Sequence, residues 1–201
     1  MFFRRSLILI GSRALSDLLQ LSLYVAIVRR FSEKAVGDYS FAFAVAMVLG
    51  VLVGLGVRSL VTREVKNSPE LGAAYPLNLL VLQGSLTLLV GCGLMLWAHF
   101  TGLSGSLTAL CILAFVSAGL STAGYSAVAV IDASGHVARG AQAEVLGKTC
   151  TVLLGFTVLL AGLEIMFVMA AQVVGSLCYL VVAMQRAAQT YGPLAWKVDP
   201  R

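Results

Sequence analysis

The chain has 201 residues, of which 59% are hydrophobic and only 11% are charged. Soluble domains are about 45–50% apolar and about 25% charged. So few charged residues cannot cover a water-facing surface, which excludes a soluble enzyme, a disordered protein and a coiled coil. The composition, with a mean hydropathy of +0.94, therefore predicts an all-α polytopic membrane protein.

The net charge of +5 does not indicate a nucleic-acid partner, because no basic run of the necessary length occurs. Lys and Arg residues are instead expected at the cytoplasmic ends of membrane helices. The four cysteines lie far apart in apolar stretches and form no CxxC motif. The sequence therefore predicts neither a disulfide framework nor a metal site, and it implies no cofactor.

Six stretches are long and apolar enough for membrane spans, which need about 20 residues each. They lie at about 7–28, 37–57, 74–98, 107–131, 141–163 and 165–185. Polar and glycine residues at 99–106 mark the turn between the third and fourth spans. We therefore expect a six-span lobe over residues 1–185, followed by a cytoplasmic polar tail or connector over 186–201.

The distribution of Lys and Arg predicts the orientation of these spans. With a cytoplasmic N-terminus, eleven of the basic residues fall on the inner side and three on the outer side. This split agrees with the positive-inside rule. Both termini are therefore expected in the cytoplasm, in a multi-pass protein.

Small residues recur at a spacing that brings helices close together. Gly50 and Gly54 form a GxxxG pair on the second span, and Ala171 and Gly175 form a similar pair on the sixth. Such spacing lets two helix backbones approach closely. These faces are therefore predicted to lie in helix–helix contacts.

The first span carries a polar stripe that is unusual for a membrane helix. Arg13, Asp17, Gln20 and Tyr24 follow each other at spacings of four, three and four residues, which places them on one face. A charged residue at mid-span normally faces a bundle interior or a water-filled cavity. We therefore predict that this stripe lines a polar cavity. Two alternatives remain: Arg13 reaches the interface, or Arg13 and Asp17 form an intrahelical ion pair.

Two further spans offer polar faces. Glu144 and Lys148 form an i,i+4 pair on the fifth span, and Ser121 and Tyr125 lie on one stripe of the fourth. The alternatives are an ion pair at a helix end and hydrogen bonds between packed helices. The sixth span offers a third such face, with Gln172, Ser176 and Tyr179. Since several helices each present one polar face, we predict that Glu144, Lys148, Ser121 and Tyr125 line the same cavity as the first span.

Catalytic motifs are absent from the sequence. It contains no HExxH, no GxSxG nucleophile elbow and no P-loop. Nor does it contain the string of aspartates that a lipid phosphotransferase needs to hold magnesium. We therefore do not expect an enzyme.

Several segments of the chain carry a resemblance to a known family. They are Gly11-Ser12-Arg13, then 26–31 and 33–42, then Gly54-Leu55-Gly56-Val57-Arg58, and finally Arg63-Glu64-Val65 with the polar turn 67–70. Together these segments resemble polysaccharide flippases of the multidrug, oligosaccharidyl-lipid and polysaccharide exporter superfamily. Family members have two lobes with twelve to fourteen spans in all. The resemblance covers nearly the whole chain, which matches an N-terminal lobe.

The resemblance implies a function and its partners. Two lobes would move a polyprenyl-diphosphate-linked oligosaccharide across the bacterial inner membrane by alternating access. Arg13 would bind the diphosphate, and Asp17 would bind a coupling proton or sodium ion. The partners would be this substrate, membrane lipid and a second lobe, which is either a missing C-terminal half or a second copy. Two alternatives stay open: a drug or small-solute exporter of the same superfamily, and a non-transporting structural subunit of a membrane complex.

Overall fold

The computed structural model describes residues 2–54 and 56–194, with the side chains of all of these except 2–10 and 69. From residue 195 onward the predicted polar tail lies outside the described residues. Four basic side chains that contribute to the predicted orientation also lie outside them, namely Arg4, Arg5, Lys197 and Arg201.

The described chain consists of helices joined by short turns, and no strand occurs in it. The prediction of an all-α membrane protein is thus confirmed. The elements are α1 (Phe2–Arg30), α2 (Glu33–Gly54), α3 (Val57–Asn67), a 3-10 turn (Pro69–Ala73), α4 (Tyr75–Phe100), α5 (Gly105–Ala133), α6 (Val137–Leu160) and α7 (Ile165–Tyr191).

Five helical stretches of the described chain are long and apolar enough to cross a membrane. They are α2 together with α3, and then α4, α5, α6 and α7. Helix α1 has 29 residues, so it is about 44 Å long at 1.5 Å per residue. Its length suffices for a span, but Arg13 and Asp17 lower its hydropathy. A membrane span over α1, the first of the six that the sequence predicts, therefore stays a prediction.

Helix α3 is an amphipathic helix that was not predicted from the sequence. The sequence indicated only a polar turn at residues 67–70 in this region. The chain breaks at Gly56, whose φ of 67° lies in the left-handed region. Val61 and Val65, four residues apart, then pack against Leu79, Ala129 and Val130. This apolar pair explains why a segment so rich in polar residues folds as a helix.

One end of the bundle, which we call the basic end, collects most of the described basic side chains. Arg58 at the start of α3 pairs with Asp132 near the end of α5 at 3.6 Å. Arg139 in α6 donates a hydrogen bond to Thr190 in α7 at 2.9 Å. The start of α3, the end of α5, the start of α6 and the end of α7 therefore lie together.

Helix α5 lies at the centre of the bundle. It packs against α7 on one side and against α2, α4 and α3 on the other, while α6 packs against α7 and α1. A buried hydrogen bond of 2.8 Å, from Gln83 Nε2 to Ser126 Oγ, ties α4 to α5. Helices α1 and α2 hardly touch although they follow each other in the chain. A gap therefore opens between them.

Glycine residues bring α6 and α7 close together. A methyl group at Gly175 of α7 would overlap the Thr151 hydroxyl and lie 2.9 Å from the Thr151 Cα. A methyl group at Gly147 of α6 would lie 3.0 Å from the Cα of Tyr179. Backbone atoms cannot move aside as a flexible side chain can. These two helices therefore form a tightly packed wall beside the gap.

We predict that Gly175→Ala destabilises the protein by about 1–3 kcal/mol, the usual cost of overpacking a tight contact. The thermal unfolding midpoint in detergent should fall by roughly 2–10 °C. The matched control is Gly84→Ala in α4, where the added methyl group meets nothing within 4 Å. An unchanged midpoint for Gly175→Ala would show that α6 and α7 are packed less closely than this.

Candidate functional site: a polar cleft between α1 and α2

The gap between α1 and α2 contains two adjoining cavities, which together we call the central cleft. Their volumes are about 450 and 390 Å³, and Gln20, Phe43 and Gln172 line both. Helices α5, α6 and α7 form the floor. The cleft is therefore built from five helices that come from two separate stretches of the chain, α1–α2 and α5–α7.

Most of the residues predicted to line a cavity lie in this cleft, but not all of them do. Asp17, Gln20 and Tyr24 line it from α1, and Ser121, Tyr125 and Lys148 line it from α5 and α6. Glu144 joins Ser121, Tyr125 and Lys148 around a smaller cavity of about 30 Å³ that continues the cleft. Arg13 lies on the same face of α1, one turn before Asp17, but it is exposed and does not line these cavities.

Lys148 carries the positive charge of the cleft. It is residue 12 of the 24 in α6, so it lies at the middle of that helix rather than at its end. Its Nζ donates a hydrogen bond to the Gln20 side-chain oxygen on α1. The carboxylates of Glu144 and Asp17 lie within electrostatic range of its amine. Lys148 thus links α6 to α1 at mid-depth.

The ion pairs considered from sequence are not formed in the described part of the chain. There the one ion pair between side chains joins Arg58 and Asp132. Lys148 bonds to Gln20 instead of closing a salt bridge with Glu144. Arg13 acts electrostatically on Asp132 and Tyr125 and so lies towards the basic end of the cleft.

Serine hydroxyl groups form the floor of the cleft between α5 and α7. The Oγ atoms of Ser117 and Ser176 lie 2.8 Å apart, and Ser121 Oγ donates to Ser176 Oγ at 3.0 Å. These bonds tie the two helices together. Since Ser121 is only partly buried, its oxygen also borders the open space and is available to a ligand.

Tyrosine side chains border the cleft on two sides. Gln172 Nε2 donates a hydrogen bond to the Tyr39 hydroxyl, which joins α7 to α2. The Tyr24 and Ser40 hydroxyls lie 3.4 Å apart and form a hydrogen bond between α1 and α2. Tyr125 packs edge-on against Tyr179 with ring centres 5.3 Å apart. On the α1–α2 side the cleft is thus bridged, among the described residues, by a single hydrogen bond and is otherwise open.

Several residues of the cleft were missed by the sequence predictions. Tyr39, Ser40 and Phe43 lie on α2, whose apolar run gave no reason to separate one face from another. Thr151 lies one turn after Lys148 and seven residues after Glu144, so the stripe on α6 could have been extended to it. Gln172 and Ser176, by contrast, belong to the polar stripe that the sequence already placed on the sixth span.

The arrangement is suited to binding a polar ligand. One amine, two carboxylates and several hydroxyl groups face a volume large enough for a polar ligand. These groups come from helices that hydrogen-bond to each other across the cleft. Such a site can bind hydroxyl groups and one anionic group at mid-depth in a membrane.

Comparison with known proteins identifies the fold. No family model matches the chain, and no curated protein matches it. A solved structure of a MOP superfamily transporter from Pyrococcus furiosus, described as having a binding pocket of reverse polarity that suggests a different function, matches with a TM-score of 0.66 and 18% sequence identity. The match covers 98% of this chain and 46% of that transporter. The chain thus has the fold of about half of a transporter of this kind.

Proposed function

We propose that the chain is one lobe of a membrane transporter that works by alternating access. The observation that carries this proposal is the central cleft, where polar groups meet at mid-depth in an otherwise apolar bundle. Lipid cannot satisfy such groups, so water or a ligand must reach them. A cleft that is open between α1 and α2 is what a second lobe would complete.

The second lobe is either a C-terminal half or a second copy of the chain. The match to about half of a solved transporter supports a two-lobe assembly. In this proposal α1 also spans the membrane, which makes six spans in the lobe. Both termini then lie in the cytoplasm of a bacterial cell. The two lobes would rock around the cleft, as in other transporters with related halves.

The substrate that we propose is a lipid-linked saccharide with a diphosphate group. Lys148 supplies a cation at mid-depth, and Ser121, Ser176 and Tyr125 supply hydroxyl groups that suit sugars. Arg13, towards the basic end of the cleft, would receive the diphosphate first because a guanidinium fork matches phosphate oxygens. The apolar tail of the substrate would stay in lipid beside the open α1–α2 side.

A drug or small-solute exporter is the second candidate. Asp17 and Glu144 bring two negative charges to the same cleft and its continuation, beside the aromatic rings of Tyr24, Phe43 and Tyr125. Acidic and aromatic groups together favour organic cations. The two candidates differ in which charge of the cleft contacts the substrate.

We predict that Lys148→Gln lowers transport of a polyprenyl-diphosphate-linked saccharide at least tenfold. A hydrogen bond to a charged group is worth about 1.5–3 kcal/mol, and 1.4 kcal/mol is a factor of ten. Lys148→Arg should retain part of the activity because it keeps the charge. Flipping would be measured in vesicles that contain the chain and its second lobe.

The matched control is Arg63→Gln, which removes an equal charge from the exposed face of α3. If Asp17→Asn and Glu144→Gln abolish export of an organic cation while Lys148→Gln does not, the chain is part of a small-solute exporter and not of a saccharide transporter. If none of these variants affects either activity, the cleft is not a transport site.

We predict that a cysteine at position 17 is labelled by a water-soluble thiol reagent. All four native cysteines, namely Cys92, Cys111, Cys150 and Cys178, would first be replaced. The matched control is Leu18→Cys, which lies about 100° further round α1 and has 63% of its surface exposed. Labelling of position 18 but not of position 17 would mean that the polar face of α1 is packed against other helices and that the face with Leu18 is in contact with water.

We predict that both termini lie on the same side of the membrane as α3. Basic residues collect at that end of the bundle, and such residues are retained in the cytoplasm. A reporter that is active only outside the cytoplasm should be inactive when fused after Arg201 and active when inserted between 101 and 104. The reverse pattern would invert the orientation.

A further inference from the structure

A second groove lies on the far side of α6 from the central cleft, near the basic end. Its volume is about 560 Å³, and it is lined by Ser12 of α1, Arg186 of α7 and the first turns of α6. Ala138 and Gln142 of α6 lie roughly 120–160° round the helix from Glu144. The groove therefore faces the surroundings of the bundle and does not belong to the transport site.

The position of Arg186 along α7 places the groove at the membrane boundary. Helix α7 has 27 residues, so it is about 40 Å long, and a helix of this length centred in a hydrocarbon core of about 30 Å extends about 5 Å beyond each boundary. Arg186 is five residues before the helix end at Tyr191, or about 8 Å along the axis. A long arginine side chain spans the remaining few ångströms to the phosphate level.

Within the described part of the chain, no acidic side chain forms an ion pair with the charged residue of the groove. This residue is Arg186, and its guanidinium donates a hydrogen bond to the neutral Gln189 side chain at 3.1 Å. A guanidinium has five N–H donors, so several remain for a ligand. The groove therefore presents a positive charge at the depth of lipid phosphates.

Apart from Ser12 and Gln142, the rest of the groove is apolar. Ala141, Val145 and Leu146 continue from Gln142 towards the middle of the membrane, and Leu146 has 51% of its surface exposed. The small alanine side chains make this face of α6 concave. A ligand that fills the groove must therefore have a charged group at one end and a hydrocarbon chain below it.

We propose that this groove binds an anionic phospholipid, with its phosphate on Arg186 and an acyl chain along Val145 and Leu146. The charge of the groove matches a headgroup with net negative charge better than a zwitterionic one. The depth of Arg186 and the apolar wall match the two parts of one lipid molecule. This site is independent of whether the central cleft transports anything.

The test is native mass spectrometry of the full chain, extracted from vesicles that contain equal amounts of phosphatidylglycerol and phosphatidylcholine. The wild-type chain should retain phosphatidylglycerol preferentially, and Arg186→Gln should lower that retention about fivefold, the effect of one basic residue at a membrane surface. Arg186→Lys should lower it less. Free glycerophosphate should not compete, because it lacks the acyl chain.

The matched control is Arg63→Gln on α3, which lowers the charge of the same end equally. An equal loss of lipid in both variants would overturn the site, since it would reflect the overall charge alone. So would equal retention of the two lipids by the wild-type chain, or displacement of the lipid by glycerophosphate. If Arg186→Gln does not fold, Ala138→Trp provides the test, because the new side chain fills the groove from an exposed position. Loss of the lipid in this variant would support the site, and unchanged retention would overturn it.

Discussion

A charged amine at the middle of a membrane helix must keep polar partners, because hydrocarbon offers none. Lys148 meets this requirement through Gln20 on α1, with Glu144 and Asp17 in electrostatic range. The partner on α1 matters most, because α1 hardly contacts α2 and is held mainly by α6. The polar groups of α1 and α6 therefore position one side of the cleft relative to the other.

The remaining walls of the cleft are held by close packing. Gly147 and Gly175 let α6 and α7 touch along their backbones, and the serine hydroxyl groups join α7 to α5. Close-packed interfaces repack in discrete steps and do not deform continuously. Helices α5, α6 and α7 therefore form a tightly packed floor, whereas the open α1–α2 side is bridged by the long hydrogen bond between Tyr24 and Ser40. We expect movement in this bundle to concentrate on that side.

The fold class followed from composition, but α3 and the detailed contacts did not. Spacing along one helix places Asp17, Gln20 and Tyr24 on one face, and this is a local property. Whether Lys148 pairs with Glu144 on its own helix or with Gln20 on another depends on which helices are neighbours. That arrangement is set by glycines such as Gly155, where an added methyl group would meet Leu23 of α1. A single sequence does not reveal which residue a glycine must accommodate.

The polar stripe on α1 explains why this helix has a lower hydropathy than the other long helices. Its polar stripe cannot face lipid at low cost, since a charged residue at the centre of a membrane helix costs about 2.5–3.5 kcal/mol on insertion scales. Ser16, Leu23 and Ile27 are buried on the side towards α6, and Asp17 and Tyr24 border the cleft beside them. The helix thus uses one face for packing and the next for solvation. Because Gln20 lies between these faces and accepts the hydrogen bond of Lys148, placing α1 in the membrane and building the cleft require the same contact.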